Sequence, residues 1–167
     1  MHRIFVSCIM MVCLVGCSSD TVVSEMESID GGWSKDEPVV FKIPALDSVT
    51  PYNLFLTVRN NNEYGYSNLF LITKLDFPNG KVVTDTLEYR MANPDGTWLG
   101  TGVGAIKESK LWYKEEMVFK EAGNYSLMVM HAMRNNGEVE GVTQLQGITD
   151  VGYSIEKIKF ENGNSDE

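Results

Sequence analysis

After residue 17 the sequence contains no cysteine, and after residue 2 it contains one histidine, His131. Without a second cysteine in the body no disulfide framework can form, so the fold must be held by its apolar core. Cysteine-based zinc sites, redox pairs and thiol nucleophiles are excluded with it. Basic residues are also scarce, with 14 Lys+Arg against 23 Asp+Glu and a net charge of −9. A surface of that sign repels phosphate backbones, so nucleic acid is not an expected partner. No segment carries a helical apolar stripe over a dozen residues. What is present is a chain of 167 residues, 43% hydrophobic, enough for one domain with a real core.

The three cysteines, Cys8, Cys13 and Cys17, all fall at the start. Met1-His2-Arg3 is a short positive opening, and Ile4 to Val15 follows as 12 residues without a charge. That run is too short for a span of ~20 residues and suits a signal-peptide core. It ends in Leu14-Val15-Gly16-Cys17, which resembles a bacterial lipobox. The resemblance implies cleavage before Cys17, diacylglycerol on its thiol and acylation of the new amino terminus. Residues 1–16 are then removed. The mature chain 17–167 loses Arg3, so 13 basic residues face 23 acids and the net charge becomes −10. Two or three acyl chains, at ~0.8 kcal/mol per buried CH₂, hold a protein stably at a bilayer.

Residues 17–32 read as the acylated cysteine and an acidic tether, in which Val22, Val23, Met26 and Ile29 could add a first edge strand. Residues 33–160 read as the domain and 161–167 as a frayed tail. Short apolar runs alternate with turn signals. Val39, Phe41 and Ile43 share one face of a strand, as do Leu54, Leu56 and Val58. Asn68 to Phe77 is apolar on both faces, which suggests burial in a sandwich. Pro78-Asn79-Gly80-Lys81 predicts a hairpin with a type I′ turn, and Val82 to Met91 is the returning strand. Asn93-Pro94-Asp95-Gly96 is another turn. Trp98 to Ile106, rich in glycine, is expected as a bulged strand or a close backbone approach. Leu111 to Lys120, Asn124 to Met133 and Val151 to Phe160 complete about eight strands. The expected fold is all-β: a single antiparallel β-sandwich, Ig-like or jelly-roll-like, behind a lipoprotein signal peptide.

Catalytic equipment is thin. A triad would need His131, which sits mid-strand among Met128, Met130 and Met133 with no nucleophile motif. Carboxylates such as Asp85 with Glu88, or Glu115 with Glu116, are uninformative as pairs in so acidic a chain. Asn93-Pro94-Asp95-Gly96-Thr97 lacks the acids of a calcium loop, with Gly104 at its twelfth position. No catalytic residue, metal ligand or cofactor is assigned. Trp33, Trp98 and Trp112 are candidates for contact with a protein partner or for a glycan-stacking platform. Asp20-Thr21-Val22, Asp47-Ser48-Val49 and Asp85-Thr86-Leu87 resemble the O-glycosylation pattern of exported Bacteroidota proteins, with Thr21, Ser48 and Thr86 as acceptors.

Four segments carry a wider resemblance: RNNNEYGYSNLFLI (59–72), FPNGKVVTDTLEYRMANPDGTWLGTGVGAIKESKLWYKE (77–115), HAMR (131–134) and GITDVGYSIEK (147–157). In this order, behind a lipobox, they resemble the gliding motility lipoprotein GldH family of the Bacteroidota. The resemblance implies a non-enzymatic outer-membrane lipoprotein, attached by its lipid and in contact with other envelope proteins of the gliding or associated secretion machinery. Only Cys17 transfers as a functional residue. Acids soon after it (Asp20, Glu25, Glu27) leave the periplasmic and cell-surface faces both open. The alternative is a surface glycan-binding sandwich that uses the tryptophans.

Overall fold

The computed structural model describes residues 20–158, so the signal peptide (1–16), Cys17 and the tail (161–167) lie outside the described residues. Among the described residues ten strands are present: β1 Thr21–Ser28, β2 Trp33–Ser34, β3 Val39–Ile43, β4 Pro51–Asn60, β5 Asn68–Asp76, β6 Val82–Arg90, β7 Lys107–Val118, β8 Tyr125–His131, β9 Gln144–Leu145 and β10 Ile148–Lys157. One four-stranded sheet runs β1-β10-β4-β7, a second runs β3-β8-β5-β6, and β2 pairs with β9. Every strand pairing is antiparallel. The expected all-β sandwich is the fold observed.

Alternation explains the faces. In β3, Val39, Phe41 and Ile43 are buried while Val40 and Lys42 are exposed. In β4, Leu54, Leu56 and Val58 are fully buried and meet Tyr153 and Ile155 of β10 on the same inner face. From the other sheet Leu69, Leu71, Leu75, Leu127 and Val129 close the core, and Phe41 packs on Tyr153 with ring centroids 5.1 Å apart. Burying each such side chain contributes roughly 1.5–3 kcal/mol, which is how a fold without disulfides is held.

One long side of the sandwich is clasped. Tyr89 of β6 donates its hydroxyl to the Trp112 carbonyl of β7 at 2.5 Å. Tyr113 of β7 donates to Asp85 of β6 at 3.2 Å, and Lys114 pairs with the same carboxylate at 2.8 Å. Burial, with Asp85 nearby, pushes the Tyr89 hydroxyl up to about 12, so it remains a donor.

Two local expectations are corrected. The Pro78-Asn79-Gly80 hairpin is not type I′. Pro78 pins its own φ near −65°, the Gly80 amide bonds back to the Phe77 carbonyl at 2.9 Å, and Gly80 alone turns left-handed at φ 84°. That is a type I turn followed by a bulge. Asn93-Pro94-Asp95-Gly96 repeats it, with Gly96 bonded to the Asn93 carbonyl at 2.9 Å and φ 86°. The second correction concerns Trp98 to Ile106, which is a loop with isolated bridges Ala92–Trp98 and Thr101–Glu108. Gly102 (φ 146°) and Gly104 (φ 76°) take the backbone out of strand geometry. The close approach expected there does occur at Gly100, where a Cβ would lie 2.9 Å from the Glu108 carbonyl.

Candidate interaction surfaces

The strand registers give the sandwich two different ends. Thr21 pairs with Glu156 and Glu156 with Asn53, so the starts of β1 and β4 lie together. That end is plugged by aromatic rings, with Tyr52 against Phe119 and Phe119 against Tyr125. At the opposite end Ser28 pairs with Asp150, Asp150 with Arg59 and Arg59 with Glu108. The connections at 29–38, 61–67, 91–106 and 132–147 gather there.

The three tryptophans occupy three different environments, so they form no common platform. Trp33 is 1% exposed, a core residue rather than a contact surface. Its Nε1 donates to the Glu37 carbonyl at 3.3 Å and its ring meets His131 edge-on at 5.4 Å. Two-residue β2 offers no alternation from which that burial could be read. Trp98 is half-buried in the loop end, 6.1 Å from Tyr64. Beyond it the loop exposes Leu99, Ile106 and the fully exposed Val103. Trp112 lies on the outer face of β7, half-exposed, 4.4 Å from the Phe55 ring. Lys110 stands 4.1 Å above Phe55 and pairs with Glu156 at 2.7 Å, so that patch is already occupied by its own chain.

The loop end is ordered by groups that sequence reading passed over. Tyr64 donates to the Asn68 carbonyl at 2.6 Å and Tyr66 to Asn135 at 2.7 Å. Burial raises the Tyr64 hydroxyl well above its ordinary value. The available signal was two tyrosines flanking Gly65 beside the run of asparagines.

His131 is a core residue, as its neighbours in the sequence suggested. Its Nε2 lies 3.0 Å from the Trp33 carbonyl, which can only accept, so Nε2 carries the proton. Nδ1 is buried without a partner. Burial lowers the imidazole's pKa. The unfolded chain therefore binds the proton more readily, and stability rises with pH across that interval. The contribution is complete above about pH 6.5 and declines as pH falls below it. Thermal unfolding at about pH 7.5 and about pH 5.5 should show the loss, and His131→Gln, which keeps a donor for the carbonyl, should shrink it. An unchanged difference in that variant would assign the effect to other groups.

The remaining candidates are dispersed. Asp85 faces inward in the clasp, whereas Glu88 lies on the outer face and accepts from Asn68 at 2.9 Å. Glu115 and Glu116 are both exposed, at a bulge where Glu116 takes φ 51°. Asp95 accepts from the Thr97 amide and hydroxyl at 3.0 and 2.6 Å, the bonding of a turn. Among the described residues no three His, Cys, Asp or Glu side chains converge as a metal site. Of the three residues expected as glycosylation acceptors, Thr21 donates to Glu156 at 3.2 Å. Ser48 is exposed in a turn where the Asp47 carboxylate receives the Val49 amide at 3.0 Å. Thr86 is exposed on the outer face of β6.

The class so defined is an antiparallel β-sandwich that presents aromatic and apolar loop surfaces. Residues 21–155 match the family model described as GldH lipoprotein, and the chain belongs to that family. It is 51% identical over 154 residues to the gliding motility lipoprotein GldH homolog of Christiangramia forsetii, covering 92% of this chain and 94% of that protein. It is 48% identical over 146 residues to the gliding motility lipoprotein GldH of Flavobacterium johnsoniae, covering 87% and 91%. Among solved structures, one of infectious bursal disease virus (Gx strain) aligns with 81% of this chain and 32% of its own, at 12% identity and a TM-score of 0.35. A likeness that remote carries no inference.

Proposed function

We propose that this protein is an outer-membrane lipoprotein that works by contact, as an accessory subunit of a gliding-motility or associated envelope secretion complex. Its relatives' names, gliding motility lipoprotein GldH, support the setting. The observation that carries the mode of action is the opposition of the two ends. A lipid on Cys17 would hold the Thr21 end near the bilayer, because only residues 18–20 intervene. Strands of ten residues at ~3.3 Å each then carry the other end about 30 Å away. That far end bears half-buried Trp98 and, beyond it, the exposed apolar side chains of Leu99 and Val103, the surface proposed to meet a partner.

The test is a crosslinked pull-down from cells carrying the full-length protein. The wild type should retain a defined set of envelope proteins. The double variant Leu99→Glu, Val103→Glu should lose most of that set while melting like the wild type, since both side chains are exposed. An identical set from the double variant would overturn the loop as the contact surface. Binding to a glycan array that disappears in Trp112→Ala would replace the proposal with the glycan reading.

A further inference from the structure

We infer that the outer edge of β1 at Val23–Ser28 accepts an extended, cationic segment of a partner polypeptide as an added strand. This rests on the reading above, that the protein acts by contact, and names a second contact on a different surface.

Among the described residues the sandwich has four sheet edges, those of β1, β7, β3 and β6. The edges of β6 and β7 are tied together by the Tyr89, Tyr113 and Lys114 clasp. The β3 edge is five residues between Pro38 and Pro44. That leaves β1, a strand without a proline, in which Val23–Ser28 pair on one side only among the described residues. Such an edge offers free backbone donors and acceptors at every second residue, the requirement for strand addition.

The side chains on its core-facing side specify what may add. Val23, Glu25 and Glu27 oppose Ile155, Tyr153 and Val151, three buried residues of the inner face. Glu25 and Glu27 are nevertheless exposed, because they stand at the open rim. Neither belongs to an ion pair among the described residues. Beside them a cavity of about 410 Å³ separates β1 from the start of β3. Glu27, Asp30 and Glu37 line it over a floor that includes Trp33 and Val39, and no lysine or arginine lines it.

An acidic strand added here would set carboxylate against carboxylate, which is repulsive, and an apolar strand would desolvate these carboxylates without pairing them. A strand with lysine or arginine at alternate positions would place cations in the groove. A second copy of this chain is the wrong occupant, since β1 against β1 faces carboxylate with carboxylate. The residues after the described region are also unsuitable, because 159–167 carry three acids and one lysine.

The probe is a capped seven-residue peptide alternating lysine with valine and threonine, added to the full-length lipoprotein in detergent. Binding should slow amide exchange within Val23–Ser28. Glu25→Gln combined with Glu27→Gln should weaken it by about tenfold, with unchanged thermal unfolding. The same peptide N-methylated at alternate residues keeps its charge but cannot extend a sheet, and it should not bind. Equal binding of the methylated peptide, equal binding of a glutamate-for-lysine peptide, protection elsewhere, or no binding would each overturn the inference. Intact peptide binding alongside a pull-down empty of envelope proteins would instead remove the accessory-subunit reading and leave the edge standing.

Discussion

Gly147→Ala is expected to destabilise the domain by about 3–5 kcal/mol, at the severe end of single substitutions. Gly147 joins β9 to β10 at φ 82°, a conformation that costs an L-residue roughly 1–2 kcal/mol. The larger part is steric. A Cβ at this position would lie 2.6 Å from the Glu63 carbonyl carbon and closer still to the Tyr64 nitrogen and Cα. Those are backbone atoms, so no side-chain rotation relieves the clash. The segment must move, and it cannot move alone. The Asn61 amide bonds to the Gly147 carbonyl at 2.8 Å, and Tyr64 is 3% exposed with its ring against Tyr66 and Trp98. Displacing it opens the loop end from beneath. Gly137 provides the control, with a similar φ of 83° and nothing within 4 Å of its Cβ position. Gly137→Ala should cost only the backbone share, about 1–2 kcal/mol. Chemical denaturation of both variants separates the two contributions. A Gly147→Ala midpoint matching that of Gly137→Ala would show that the 61–67 segment yields freely.

The contrast between those two glycines also shows what the sequence could express. Each appears in the chain as a lone glycine that follows a side-chain amide, Asn136 or Gln146. What distinguishes them is the distant segment packed against one of them. The strands were legible wherever one face is buried and the other wet, as in β3, because alternation is a local consequence of burial. The Asn79-Gly80 hairpin was legible as a turn but mistyped, since Pro78 restricts φ one residue earlier than the Asn-Gly rule considers. Trp33 was misread as a surface candidate because the covering it receives from His131 comes from β8, nearly a hundred residues away. Glu25 and Glu27 were read as acids of a tether that bear on the choice of membrane face, and the rim they form exists only once β1 pairs with β10. The residues that order the loop end, Tyr64 and Gly147, share no motif, and only tertiary proximity relates them.

Cys17→Ala is expected to move essentially all of the protein from the membrane pellet to the soluble fraction. The argument is one of competing affinities. Each buried CH₂ adds ~0.8 kcal/mol, so two or three acyl chains hold the protein on a bilayer, where one chain would give only marginal binding. Nothing described in the body substitutes for them. Among the described residues no helix is long and apolar enough to cross a membrane. The body's charge of −10 repels anionic headgroups. The exposed apolar side chains of the far loop number only a few. The position of β1 sharpens the test. With only residues 18–20 between Cys17 and the first hydrogen-bonded strand, a lipid on Cys17 would reach at most about 14 Å from the domain. Inserting about twenty Gly/Ser residues after Ser19 should leave fractionation unchanged, because the lipid is unchanged, yet free the domain from a fixed height. If contact depends on that height, the elongated protein should remain in the membrane and retain fewer envelope proteins in the pull-down. Cys17→Ala protein that still pellets after high-salt washing would instead mean that protein contacts, rather than the acyl chains, hold the domain at the envelope.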